Sequence, residues 1–69
     1  MSPTDETALV RLIEDSMLPG QDGIKIRAFL AFNRSNPLAT TENIQNLQSK
    51  ELIRLHEDMI YPVESIADA

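Results

Sequence analysis

The sequence predicts an all-α fold, a small helical module in which a helical hairpin is followed by a longer third helix. Three stretches place their apolar residues at helical spacing, and turns containing Gly or Pro separate them. The 69 residues include three aromatic side chains and no Trp, so the core must be aliphatic, which favours helices. We expect one helical domain over residues 1–62 and a flexible acidic tail over residues 63–69.

The first helix is predicted over about residues 3–17. Ser2 offers a hydroxyl cap, and Pro3 follows it where no N–H partner is needed. Asp5 and Glu6 then place negative charge at the positive end of the helix dipole. One face of this helix carries the apolar residues Leu9, Leu12, Ile13 and Met17. The segment LPGQDG, residues 18–23, holds both glycines of the chain and ends the helix.

The second helix is predicted over about residues 24–34, where two periodicities compete. A strand would place Ile24, Ile26, Ala28, Leu30 and Phe32 on one face, whereas a helix groups Ile26, Phe29 and Leu30. We favour the helix because a single strand has no obvious pairing partner in this chain and because Asp22 can cap a helix. Whether residues 24–33 form a helix or a strand stays open at this point.

The third and longest helix is predicted from Thr41 to Ile60. Thr41 can cap its first turn, Glu42 complements the dipole, and Pro62 ends it. The apolar residues make one stripe that widens towards the C-terminal end, comprising Ile44, Leu47, Leu52, Ile53, Leu55, Met59 and Ile60. Such a wide apolar face needs two neighbours.

The size of the chain predicts that it forms a homodimer. A single core of this length rarely supplies more than about 3–5 kcal/mol without disulfides, a metal or association. The sequence contains no Cys, which excludes disulfides and thiolate metal sites. The interface predicted for a second copy or a larger protein comprises Leu52, Ile53, Leu55, His56, Met59 and Ile60.

The net charge of −5 argues against general binding to nucleic acid or to anionic lipid, because such binding requires Lys and Arg to neutralise phosphates. No apolar run approaches the roughly 20 residues that span a bilayer. The first ten residues lack the basic start and the apolar stretch of a signal peptide. We therefore expect a cytoplasmic protein without a membrane partner.

Neither catalysis nor metal binding is predicted. His56 is the one conventional general base, and on a helix it would lie at the edge of the apolar face. Adjacent carboxylates such as Glu57 and Asp58 diverge on a helix, so a solvated face explains them better than a metal site. No phosphate-binding loop is present. We expect no enzyme activity, no cofactor, no metal and no catalytic residue.

The predicted function is therefore binding, by a small adaptor, inhibitor or modulator of a larger protein that presents a helical surface. The comparison with small bacterial and phage modulators is an analogy. One alternative is a helix-turn-helix-like transcriptional regulator that reads DNA with Gln45, Asn46, Gln48 and Lys50. Against it, Glu42 and Glu51 would face phosphate, and the connection exceeds the usual 3–4 residues. Another alternative is a structural subunit of a larger assembly.

Overall fold

A computed structural model describes residues 2–63, and these residues form both helices and strands, so the all-α prediction is wrong. The helices are α1 (Pro3–Ser16), α2 (Ile26–Phe32) and α3 (Thr41–Ser49). The strands are β1 (Ile24–Lys25), β2 (Ile53–His56) and β3 (Met59–Pro62). Val63 is the one residue of the expected tail, 63–69, that is described, and residues 64–69 lie outside the described part.

Helix α1 begins as the sequence predicts. The Asp5 N–H donates to the Ser2 hydroxyl at 3.2 Å, and the Ser2 N–H donates to the Asp5 carboxylate at 3.5 Å, which completes a capping box. Pro3 occupies the first turn, where no N–H partner is required. The helix ends at Ser16, one residue before the predicted boundary, and its buried face comprises Glu6, Leu9, Val10 and Ile13.

The segment predicted as a helix over residues 24–34 divides into a short strand and a shorter helix. Ile24 and Lys25 pair with β3, so α2 starts only at Ile26, and Lys25 rather than Asp22 occupies the N-cap position. The side chain of Lys25 makes no capping hydrogen bond. The strand alternative therefore holds for two residues, because a partner strand exists that the sequence analysis did not foresee. The helix ends at Phe32.

Helix α3 is half as long as predicted. It is capped by Thr40 rather than Thr41, because the Asn43 N–H donates to the Thr40 hydroxyl at 3.1 Å. The helix ends at Ser49 and not at Ile60, so the long apolar stripe does not exist as a helical face.

The end of α3 has the hydrogen bonds of a Schellman motif. Glu51 has a positive φ of 59°, which turns the chain out of the helix. The Leu52 N–H donates to the Leu47 carbonyl, and the Glu51 N–H donates to the Gln48 carbonyl, both at 3.0 Å. These bonds satisfy carbonyls that the helix end would leave unpaired. Gly usually occupies the left-handed position that follows a helix. Because Glu51 occupies it here, the local sequence carries no signal of the helix end.

The residues after α3 form a β-hairpin. Glu57 and Asp58 connect β2 to β3 in a two-residue turn, with φ of 48° and 66°. Two consecutive positive φ values define the turn type whose twist matches antiparallel strands. This hairpin replaces the second half of the predicted third helix.

The three strands form an antiparallel sheet in the order β1-β3-β2. In the hairpin, Arg54 lies opposite Tyr61 and His56 lies opposite Met59, and β1 joins the other side of β3 with Ile24 opposite Ile60. The succession α1, β1, α2, α3, β2, β3 with this strand order resembles the element order of a winged helix-turn-helix domain. The connection between α2 and α3, residues 33–40, is longer than the usual turn of 3–4 residues.

The core lies between the three helices and the inner face of the sheet. It comprises Leu9, Val10, Ile13, Ile24, Phe29, Ile44, Leu47, Ile53 and Ile60. Gly23 is buried beside this core, and a Cβ at this position would lie 2.7 Å from the Ile60 carbonyl oxygen. The close approach of β1 to β3 therefore requires a residue without a side chain at position 23.

Candidate interaction surface

The polar face of α3 was the predicted reading surface of the DNA-binding alternative, and its four residues fall into two classes. Gln45 and Gln48 are exposed. Asn46 and Lys50 instead contact the buried carboxylate of Glu6, since the Asn46 amide donates to Glu6 Oε2 at 3.2 Å and Lys50 Nζ forms an ion pair with the same oxygen. Two of the four side chains thus have a structural role inside the domain.

Acidic side chains mark the ends of α3 and the tip of the hairpin. Glu42 is exposed in the first turn of α3, and Glu51 is exposed just after its end. Glu57 and Asp58 are exposed at the turn between β2 and β3. Arg54 is the exposed basic residue of the hairpin. The surface formed by α3 and the hairpin therefore carries more negative than positive charge.

An open groove of about 1050 Å³ runs along β2 and reaches the C-terminal end of α3. The side chains that give it chemical character are Gln48, Glu51, Arg54, Leu55, His56 and Tyr61. Its walls combine the rings of His56 and Tyr61 and aliphatic side chains with the charged groups of Glu51 and Arg54. An open groove beside a strand can accept an extended peptide segment.

The six residues predicted to form a partner or dimer interface do not share a helical face. Ile53 and Ile60 are buried in the core of the single chain. Leu55 and Met59 are partly buried, and Leu52 and His56 are exposed. The homodimer stays a prediction. Of the six residues, those with exposed surface in the single chain are Leu52, Leu55, His56 and Met59, on the hairpin and at its base.

His56 is exposed at the last position of β2, opposite Met59, and not at the edge of an apolar helical face. Within residues 2–63 no group of three or more His, Asp or Glu side chains is arranged to hold a metal ion. Across the same residues, none of the helices has the length and apolar character needed to cross a membrane.

Sequence reasoning missed Arg54 and Tyr61 as parts of the candidate surface. The segment from residue 53 to residue 56 alternates apolar and polar side chains with period two, which is the signal of a half-buried strand. Interpreting residues 41–60 as one helix leaves this alternation unused. A prediction based on the alternation would place Arg54 and Tyr61 on one face of a hairpin.

The described residues form a small domain of three helices and a three-stranded antiparallel sheet, with exposed acidic side chains at the ends of α3 and at the hairpin turn. In comparisons with known protein families, with curated proteins and with solved structures, no match is found. The function is therefore argued from the geometry and charge of the surface.

Proposed function

We propose that this chain is a non-enzymatic protein-binding module, an adaptor or modulator that contacts a larger protein through α3 and the β2–β3 hairpin. The observation that carries the proposal is the charge of that surface. Glu42, Glu51, Glu57 and Asp58 are exposed there, whereas Lys50 is engaged by Glu6. Phosphate binding needs the opposite balance of charge, so the charge of this surface favours a protein partner over nucleic acid.

The groove along β2 gives this surface a shape that a partner can enter. It is lined by Leu55 and Tyr61 together with the polar side chains of Gln48, Arg54 and His56. Protein interfaces likewise combine apolar and polar groups. We also propose that the protein acts in the cytoplasm, which localisation of a tagged chain in its native cell would test.

Site-specific crosslinking tests the proposal. A photoreactive amino acid would replace Gln45 on α3 or His56 on the hairpin, and Arg11 on the exposed side of α1 would serve as the control. We expect the first two sites, and not Arg11, to yield a crosslinked product in the native cell whose size nuclease treatment leaves unchanged. Equal yields from all three sites, or no product from α3 and the hairpin, would contradict the proposal.

A DNA-binding regulator is the second candidate, and the resemblance to the element order of a winged helix-turn-helix domain favours it. Gln45 and Gln48 are exposed on α3, and Arg27 is exposed in the first turn of α2. Fluorescence anisotropy with a labelled mixed-sequence duplex distinguishes the two candidates. We expect no binding of the duplex at physiological salt, because the acidic residues repel phosphate. If the duplex does bind, and changing both Gln45 and Gln48 to Ala abolishes the binding, the regulator is favoured instead.

A further inference from the structure

Among residues 2–63 no strand pairs with the outer edge of β2, because the sheet order places β2 outside β3. Backbone pairs in an antiparallel ladder alternate between bonded and non-bonded positions. His56 and Met59 close the two-residue turn, and the Val63 N–H donates to the Leu52 carbonyl at 3.4 Å, so every second residue of β2 bonds to β3. The N–H and C=O groups of Ile53 and Leu55 therefore point away from the hairpin.

The other side of β3 confirms this alternation. The Ile26 N–H donates to the Asp58 carbonyl at 2.7 Å, and Ile60 pairs with Ile24, so the even-numbered residues of β3 face β1. Pro62 belongs to the same set, and its missing N–H therefore removes no bond to β2. Outside the hairpin, no hydrogen-bond partner of Ile53 or Leu55 is found among residues 2–63. The edge offers two donors and two acceptors beside the groove of about 1050 Å³.

A second copy of β2 is a poor occupant of this edge. Four hydrogen bonds between two copies require Ile53 of each to pair with Leu55 of the other, in antiparallel direction. That register places Arg54 directly opposite Arg54 of the second copy. Like charges at directly opposed positions destabilise a sheet, and a basic residue on an edge strand is a known protection against self-pairing.

We propose that the edge of β2 receives an extended segment of another protein, antiparallel to β2, with a carboxylate side chain opposite Arg54. Backbone bonds to Ile53 and Leu55 hold the segment, and the Arg54 guanidinium selects its central residue. The guanidinium can bind a carboxylate with two parallel hydrogen bonds, which adds geometric specificity to the charge attraction. This inference rests on the proposed function and names the chemistry of the partner segment.

Two fusion proteins test the proposal. Each carries, after Ala69 and a flexible Gly-Ser linker, a short strand of alternating Thr and Val with a central Glu or a central Lys. Tethering raises the effective concentration to about the millimolar range, so weak pairing becomes measurable. The measurement is amide hydrogen exchange at Ile53 and Leu55. We expect the Glu strand to protect both amides with roughly fivefold greater apparent affinity than the Lys strand.

Three substitutions sharpen the test. Arg54→Glu should reverse the preference between the two strands, whereas Arg11→Glu makes the same charge change on α1 and should leave it unaltered. Leu55→Pro removes one edge donor and should abolish protection of Ile53, with circular dichroism confirming that the chain is folded. If Leu55→Pro unfolds the chain, the proposal is tested by Arg54→Glu alone, and a preference that is not reversed contradicts it.

Equal protection by both strands, or no protection by the Glu strand, would overturn the inference. The chain without a tethered strand gives a further test. If protection of its Ile53 and Leu55 amides rises with protein concentration, a second copy occupies the edge and the inference is overturned. The proposed function fails separately, if crosslinking from positions 45 and 56 yields no protein. A partner that Arg54→Glu still binds with unchanged affinity leaves the function standing and removes the edge as its site.

Discussion

Lys50, the C-cap residue of α3, forms an ion pair with Glu6 in the first turn of α1. The two partners have unequal surroundings, because the side chain of Glu6 is 9% exposed and that of Lys50 is 50% exposed. The Asn46 amide donates a second hydrogen bond to the same carboxylate oxygen, Oε2 of Glu6. A buried acid is thus held by two donors from α3, which fixes the helix against α1.

We expect Lys50→Met to lower the free energy of unfolding by about 1–2 kcal/mol. The substitution keeps an apolar side chain but leaves the buried Glu6 carboxylate with one fewer hydrogen-bond donor. Because Lys50 is half exposed, the expected loss lies below that for breaking a fully buried ion pair. Urea denaturation of Lys50→Met, Glu6→Gln and the double variant measures the coupling. The double variant should lose less than the sum of the single losses, and additivity within about 0.5 kcal/mol would refute the coupling.

We expect Glu57→Asn combined with Asp58→Gly to raise the free energy of unfolding by about 1 kcal/mol. Both residues have positive φ, which is unfavourable for most side chains, whereas Asn-Gly is the preferred pair for this turn. The control is Glu57→Gln, which removes the charge but keeps a side chain for which the positive φ at position 57 is unfavourable. Equal stabilisation by Glu57→Gln would mean that charge repulsion and not backbone strain limits the turn.

The same residues explain why the hairpin was not predicted. Glu51, Glu57 and Asp58 hold the left-handed positions that end α3 and connect β2 to β3. Gly or Asn at such positions is the usual sequence signal of a helix end or a hairpin. With acidic residues there, an uninterrupted run from Thr41 to Ile60 resembles one helix. Its division into α3, β2 and β3 depends on packing against α1 and β1, which the local sequence does not show.

Elements fixed by local chemistry were predictable, and elements fixed by distant contacts were not. The Ser2 hydroxyl cap of α1 and the turn after the helix follow from residues 2–23, and both are found in the structure. The strand β1 consists of Ile24 and Lys25, which are ordered by pairing with β3 more than thirty residues later. No local pattern encodes a two-residue strand. The groove was missed for the same reason, since it depends on the hairpin.

Leu52 and Ile53 are neighbours in sequence, yet we expect their substitutions by Asp to have different effects. Ile53 is 1% exposed, so Ile53→Asp buries an unpaired charge and should unfold the chain at every protein concentration. Leu52 is 37% exposed, so Leu52→Asp should leave the chain folded. Sedimentation of the wild type and of Leu52→Asp then tests the predicted homodimer. A wild type that is monomeric throughout, with a thermal midpoint independent of concentration, would exclude it.

Phe29 and Phe32 provide a matched pair within α2. Both are aromatic and lie three residues apart on one short helix, but Phe29 is fully buried and Phe32 is 72% exposed. We expect Phe29→Ala to cost about 3–5 kcal/mol, which is comparable to the whole stability of a domain of this size. Phe32→Ala should change the free energy of unfolding by no more than about 0.5 kcal/mol.

This pair also separates the helical interpretation of residues 26–32 from the strand interpretation. A strand would place Phe32 on the buried face with Leu30 and would turn Phe29 outwards. Because Phe29→Ala is expected to unfold the chain, Phe29→Leu serves as the milder variant, with an expected loss of about 1–2 kcal/mol. Urea denaturation of Phe29→Leu and Phe32→Leu gives the comparison. A larger loss for Phe32→Leu would mean that this segment is a strand and that the core is built on its other face.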